Sequence, residues 1–327
     1  MRAPAFWYRR DSLASRMLAP LGGIYAGVTA RRLARARGVR PEVPVICVGN
    51  LTVGGAGKTP TVMALLGVLQ DRGLKPAVLS RGYGGSLGGP VLVDPERHNA
   101  DDVGDEPLLL SAFAPVWVSR DRGAGALEAA KGADVIVMDD GFQNPSVLKD
   151  LSVLVVDAQR NFGNRRVLPA GPLREPVAAG LKRANLISVV GAPDYRGAFI
   201  ADWHDQFGDL PVLEAALEPL ATGMAWAGMR AYAFAGIANP DRFFRTLRAL
   251  GADLCGAQSL DDHQPLTSRL LARLTAEAQR MNAQLVTTEK DAVRLPTHLR
   301  RQILTLPVRL NWADQGPLDA ALDRLFA

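Results

Sequence analysis

An α/β fold is predicted: a mostly parallel sheet with helices on both faces, followed by a second, smaller α/β domain joined to it by a two-stranded linker. Three observations predict it. Short β-branched runs alternate with stretches of helical spacing from about residue 41 onward, and the first of these runs passes into a glycine-rich turn. After a looser stretch from 194 to 228, a fresh strand-to-helix unit opens at Ala231. At 327 residues the chain is long enough for two cores. The predicted divisions are an N-terminal arm over 1–40, a larger domain over 41–210 and a smaller one over 211–327.

Charge sets the arm apart. Residues 1–40 hold nine arginines and one acid, Asp11, for a net +8, whereas the other 287 residues carry 29 basic and 32 acidic side chains, or −3. The basicity is therefore local, and a nucleic-acid-binding face is not predicted. Phe6, Trp7, Tyr8, Leu13, Met17, Leu18, Leu21, Ile24, Tyr25 and Val28 are interleaved with these arginines. Two readings stand: an arm lying on an anionic membrane surface, or an amphipathic helix packed on the core with its arginines in water. The uncharged segment from Met17 to Ala30 is shorter than the roughly 20 residues needed to span a bilayer. No secretory cleavage pattern follows it. Cys47 and Cys255 stand far apart and the four histidines are scattered, which argues against disulfides and zinc.

The next element, Pro44 to Val48, reads as a buried parallel strand, and helical spacing follows at Val62, Leu65, Leu66 and Leu69. Between them lies Gly49-Asn-Leu-Thr-Val-Gly-Gly-Ala-Gly-Lys-Thr59. Glycines without Cβ atoms let backbone N–H groups converge on phosphate oxygens. Lys58 can then reach the β/γ-phosphates and the Thr59 hydroxyl can ligate Mg²⁺. The larger domain is thus of the P-loop NTPase type, with Gly54, Gly55, Ala56, Gly57, Lys58 and Thr59 as the ATP-binding segment. Thr52 stands where the full pattern has its first glycine.

Further strands are predicted over 76–80, 90–93, 116–119, 135–138, 151–156 and 186–190, with the nucleotide at their carboxyl ends. Gly104-Asp-Glu-Pro107 opens an apolar helical run, placing Asp105 at a helix start. There it either complements the macrodipole or accepts a proton from a substrate hydroxyl. Val135-Ile-Val-Met-Asp-Asp140 is an apolar strand ending in two carboxylates, suited to holding Mg²⁺ beside the phosphate loop. Residues 164–176, with prolines and glycine between arginines, form a stiffened loop whose guanidinium groups suit an anionic substrate. In the smaller domain, Val212–Leu217 and Leu306–Leu310 are expected to pair as the linker, so that the domains meet at a hinge. His263 alone carries no signal, and Thr288 or Asp291 reads as a helix cap.

Seven motifs in order give the chain a resemblance. Residues 48–60, Ser-Arg-Gly-Tyr-Gly (80–84), Gly-Asp-Glu-Pro (104–107), Asp-Asp-Gly-Phe-Gln (139–143), Leu-Pro-Ala-Gly-Pro-Leu-Arg-Glu-Pro (168–176), Phe-Ala-Gly-Ile (234–237) and Thr-Thr-Glu-Lys-Asp (287–291) closely resemble the tetraacyldisaccharide 4′-kinase family of lipid A biosynthesis. The resemblance implies transfer of the ATP γ-phosphoryl to the 4′-hydroxyl of a lipid A disaccharide 1-phosphate precursor, at the cytoplasmic face of a Gram-negative inner membrane. Attachment there would be peripheral or monotopic, and neither nucleic acid nor an obligate protein partner is expected.

By the same resemblance Asp105 and His263 act together on the sugar hydroxyl, with Lys58 as a third catalytic residue. Thr59, Asp139 and Asp140 would attend Mg²⁺, while Arg81, Tyr83, Arg122, Gln143, Arg174 and Glu175 would line the disaccharide or phosphoryl side. Asn144 and Gln264 stand where the family has histidine, and Arg165 where glycine is common. The competing function is a membrane-associated ATPase switch of the deviant P-loop kind. Its signature lysine would fall at Val53 and is absent.

Overall fold

A computed structural model describes residues 3–35 and 37–327. After a short 3₁₀ turn (Ala5–Tyr8) comes helix α1 (Leu13–Arg35). The nucleotide-type core follows as β1 (Val45–Gly49), α2 (Lys58–Asp71), β2 (Pro76–Ser80), β3 (Val91–Leu92), α3 (Ala100–Val103), α4 (Asp105–Leu110) and β4 (Val116–Val118). It continues through α5 (Arg122–Ala130), β5 (Val135–Asp139), β6 (Leu151–Asp157), α6 (Val177–Leu181), β7 (Leu186–Val190), α7 (Pro193–Phe207) and β8 (Val212–Pro219).

These strands and one later strand form a nine-stranded sheet in the order β13-β8-β7-β6-β1-β5-β2-β4-β3, where β13 is Val308–Trp312. Only the edge pairs β13–β8 and β3–β4 are antiparallel. β1 alternates its side chains between two cores: Ile46 and Val48 pack with α2 on one face, Val45 and Cys47 with α5 and α7 on the other. This is the predicted sheet covered on both faces. Because β6 and β5 flank β1, chain direction diverges there, and the crevice at the carboxyl ends of β1 and β5 is where such a sheet binds ligands.

A second sheet is wholly parallel, in the order β10-β9-β11-β12. It is built from β9 (Arg230–Ala235), α8 (Pro240–Ala249), β10 (Asp253–Ser259), α9 (Ser268–Arg280), β11 (Gln284–Thr288), α10 (Glu289–Ala292), α11 (Thr297–Arg300) and β12 (Leu304–Leu306). β9 sends Ala231, Ala233 and Ala235 toward Phe243, Phe244 and Leu247 of α8, and Tyr232 and Phe234 toward Leu271 and Leu274 of α9. The smaller unit is therefore a three-layer sandwich of its own.

β8 and β13 pair as the linker reading expects. They also extend the large sheet, β8 lying parallel to β7, and the C-terminal helix α12 (Gly316–Phe326) packs Leu318 and Leu322 into the same core as α2. Residues 211–327 thus divide between the two sheets. The stretch from Asp194 to Gly228, read from sequence as loose, opens with helix α7 and continues into β8. The only buried side chains of α7, Phe199, Trp203 and Phe207, recur at strict four-residue spacing.

α1 meets the body through a narrow seam of small residues. Ser15, Gly22 and Thr29, seven apart, are its buried positions, and a Cβ on Gly22 would come within 2.8 Å of the Val167 carbonyl. Ser15 Oγ donates to Ala170 O, and Asn164 Nδ2 donates to Ser15 Oγ, so the helix rests on the proline-rich loop. The large apolar side chains Leu13, Met17, Leu21, Ile24 and Val28 are all more than half exposed. Burial of the apolar stripe on the core is therefore not what the structure shows. Among the described residues, no helix is long and apolar enough to cross a membrane.

Candidate active site

β1 ends in a loop tied from within. Asn50 is fully buried and its Nδ2 donates to Thr52 O at 2.8 Å. Gly54 (φ 110°) and Gly57 (φ 93°) occupy left-handed conformations that a side chain would strain. Gly57 stands at the N-cap of α2 without a side-chain cap, so the amides of the first turn stay free for an anion. Lys58 Nζ donates to Asn50 Oδ1 at 3.4 Å and lies 3.6 Å from Asp140 Oδ1. The lysine is held across the loop mouth, and Thr59 follows at the base of the helix.

Asp139 pairs in register with Val48, one residue before Gly49, so the tip of β5 sits directly beside the phosphate loop. Its carboxylate is 1% exposed, and Oδ1 has no hydrogen-bond partner. Burial first, then the charges of Glu106 and Asp140, push it up to about 7 against the pull of Lys58 and Arg122. Asp140 adopts φ 48° and is gripped by Arg174 at 2.9 and 3.2 Å. Burial opposes its ionisation, but Lys58 and Arg174 outweigh that and hold it below the usual carboxylate range.

An orphaned, buried carboxylate oxygen in this position fits a divalent cation. The described residues offer no cluster of three or more His, Cys, Asp or Glu for a metal, so a cation here would draw most of its ligands from phosphate and water.

Arg122, Gln143 and Glu175 lie deeper than the substrate-lining role expects. Arg122 is 3% exposed and donates through Nη1 to Leu79 O and through Nη2 to Asp139 O, fastening the tips of β2 and β5. Gln143 Nε2 donates to Asn50 O and to Glu175 Oε1, while Arg183 holds both Glu175 oxygens. These side chains form the buried footing of the loop. Arg174 reaches the surface above them, and Arg81 and Tyr83 are exposed at the end of β2.

The other half of the site forms where α4 of the larger unit faces the second unit across the cleft. Asp105 begins α4 after Gly104, whose φ of 92° and whose closeness to the Tyr83 carbonyl exclude a side chain. Its Oδ1 accepts from Glu106 N and its Oδ2 lies 2.9 Å from His263 Nδ1, 158 residues away in sequence. Burial disfavours the charged form of Asp105, yet the His263 bond, with Lys290 and Arg294 nearby, holds it below its ordinary range. His263 sits in a tight turn after β10 at φ 58°, a conformation costing of order 1–3 kcal/mol that its surroundings must impose. The Tyr83 ring meets it edge-on at 5.6 Å.

Two features escape sequence reasoning. Lys290, read only as part of a helix start, is inserted between Glu106 and His263 at 3.1 and 3.2 Å. Arg160, after β6, donates to Ala238 O, and the loop's Gly55 abuts Ala238, closing the second unit onto the phosphate loop. The alternation of charge in Thr-Thr-Glu-Lys-Asp was the available signal for Lys290. Arg160 gave none.

Comparison with known proteins agrees with this geometry. The family model described as tetraacyldisaccharide-1-P 4′-kinase matches residues 14–327. A tetraacyldisaccharide 4′-kinase from Dinoroseobacter shibae is 60% identical over 100% of this chain and 98% of its own length; one from a Jannaschia species is 53% identical over 100% and 99%. A crystal structure of LpxK from Aquifex aeolicus in complex with ATP superposes with a TM-score of 0.76, covering 96% of this chain and 100% of that one at 24% identity, and so shares the fold. With the phosphate loop, the paired carboxylates and the cross-cleft Asp105–His263 contact all in place, the chain belongs to the tetraacyldisaccharide-1-P 4′-kinase family.

Proposed function

We propose that this chain transfers the γ-phosphoryl group of ATP to the 4′-hydroxyl of a tetraacyldisaccharide 1-phosphate. The observation that carries the reading is the Asp105–His263 pair, formed by residues of two different units beside the phosphate loop. The sugar oxygen attacks the γ-phosphorus, the bond to the β-phosphate oxygen breaks to release ADP, and the hydroxyl proton passes to Asp105. Held ionised in a nearly dry site, that carboxylate is a competent acceptor, and His263 orients it. The free amides at the start of α2 and the Lys58 ammonium take the β- and γ-phosphate charge.

Asp139, Asp140 and Thr59 are the residues suited to Mg²⁺, which when bound would neutralise charge developing on the phosphoryl oxygens. Arg174, Arg81 and Tyr83 border the mouth where an anionic sugar would enter, whereas Arg122, Gln143 and Glu175 support it from beneath. Closure of the two units excludes competing water.

The α1 stripe supports a seat on the bilayer. Leu13, Met17, Leu21, Ile24 and Val28 face outward, and Arg9, Arg10, Arg16, Arg31 and Arg32 flank them. Such a face suits peripheral attachment to an anionic inner-membrane surface, where the substrate's acyl chains remain in lipid. Incubation with γ-labelled ATP and the disaccharide tests the reading: the label is expected on the sugar lipid. Release of the label as free phosphate alone would refute it.

A further inference from the structure

We propose that Lys290 is a positioning residue that fixes the tautomer of His263, so that the imidazole presents Nδ1–H to Asp105. The inference rests on the reading of Asp105 as the proton acceptor.

The chemistry follows from what each group can offer. An ammonium has three donors and no acceptor. Lys290 Nζ lies 3.2 Å from His263 Nε2, so that nitrogen must accept and carries no proton. In a neutral imidazole the remaining proton then resides on Nδ1, which donates to Asp105 Oδ2 at 2.9 Å. The arrangement needs Lys290 to stay charged. Burial opposes this, but Glu106, Asp105 and Asp262 surround the ammonium and push its affinity for a proton above the ordinary lysine value. Glu106 Oε1 accepts from it at 3.1 Å and Asp262 Oδ1 stands 3.6 Å away.

Every charged or aromatic neighbour of His263 fits this scheme. Asp262 Oδ1 is 3.7 Å from Nε2, beyond hydrogen-bond reach, and Tyr83 offers only its ring edge. Arg294 approaches Asp105, at 3.9 Å, rather than the imidazole. Four side chains therefore alternate across the cleft: Asp105 and Glu106 from the first turn of α4, His263 and Lys290 from the second unit. Were Nε2 protonated instead, two donors would face each other and Asp105 would lose its partner. A purely structural lysine would serve equally well with its charge placed anywhere near Glu106.

The test uses the full chain. Lys290→Met and Lys290→Gln remove the donor-only group, the second keeping polarity should the first fold poorly, and Lys290→Arg restores it. Long-range ¹H–¹⁵N spectra of the imidazoles, of which the chain has only four, are expected to show His263 protonated at Nδ1 in the parent and arginine proteins. The methionine and glutamine variants are expected to gain the Nε2–H form. With it kcat is expected to fall about 10–100-fold, as when a supporting hydrogen bond to a functional histidine is lost, at an unchanged KM for ATP.

Retention of both the Nδ1–H signal and turnover in the methionine and glutamine variants would overturn the proposal. Asp105→Asn separates that failure from failure of the underlying reading. If Asp105→Asn is inactive while the lysine variants match the parent, only the Lys290 inference is wrong. If Asp105→Asn itself turns over normally, the proton-acceptor assignment falls and takes the tautomer proposal with it.

Discussion

Replacing Asp139 by Asn is expected to stabilise the protein in the absence of divalent cations while abolishing its response to them. The carboxyl group titrates at about 7 in the fold, against an ordinary value of 3.8, because it is buried beside Glu106 and Asp140 with Oδ1 unpartnered. Between those pH values the folded state holds a proton that the unfolded chain has released. The neutral form is thus fully compatible with folding below 3.8, and stability declines as pH rises until the carboxylate ionises near 7.

At 1.36 kcal/mol per pH unit the deficit grows to about 4 kcal/mol at pH 8, but stays under about 2 kcal/mol at pH 5. Asparagine keeps the shape of the neutral acid and never carries the charge. The stability difference between variant and parent should therefore widen from pH 5 to pH 8, reaching about 5–10 °C in Tm. Comparing the two proteins cancels the titrating groups that do not interact with Asp139. Calorimetry without divalent cations at both pH values measures it, and adding Mg²⁺ to the ATP-bound proteins at pH 8 should raise the parent alone. An asparagine variant less stable than the parent at pH 8, or one stabilised by Mg²⁺ to the same degree, would refute the reasoning.

The exposed stripe of α1 makes a second prediction. Leu21→Glu with Ile24→Glu removes two apolar anchors of about 1.5 kcal/mol or more each, so binding to anionic vesicles should weaken at least about 100-fold, with turnover on detergent-dispersed substrate retained. Undiminished vesicle binding would exclude that face. The cysteines make a third. Cys47 is wholly buried in β1 and burial pushes its thiol up to about 11, whereas Cys255 is partly exposed. A thiol reagent should titrate one group in the native protein and two in denaturant, and two in the native state would contradict the burial of β1.

How much of this was legible beforehand depends on the range of the interactions. β1, the loop and the tip of β5 are encoded over a few residues each by β-branched runs, glycines and a terminal pair of acids, and the structure holds them where those patterns place them. The cap at Thr288 likewise follows from local chemistry: its Oγ1 accepts from Asp291 N. α7 was hidden because its buried side chains are Phe199, Trp203 and Phe207 alone, with Ile200 half-buried beside them, leaving a sparse stripe in an otherwise polar segment. The seat of α1 was ambiguous because its buried seam is Ser15, Gly22 and Thr29, which no hydrophobicity pattern marks.

The cross-cleft contacts were least legible. Asp105 and His263 are brought together by sheet order and linker geometry, so spacing left each an ordinary residue and only the family resemblance joined them. Arg122, Gln143 and Glu175 show the reverse case. The family resemblance pointed to a substrate surface, whereas the structure buries all three side chains beneath the phosphate loop.

The central claim is that Asp105 accepts the proton of a lipid-borne sugar hydroxyl as the phosphoryl group moves. Single-turnover transfer from γ-labelled ATP to the disaccharide by Asp105→Asn, with ATP affinity measured on the same preparation, tests it most directly. A loss of transfer of about 10²–10⁴-fold is expected, with ATP affinity nearly unchanged. Transfer at the parent rate would contradict it and return Asp105 to the role of a helix-start acid.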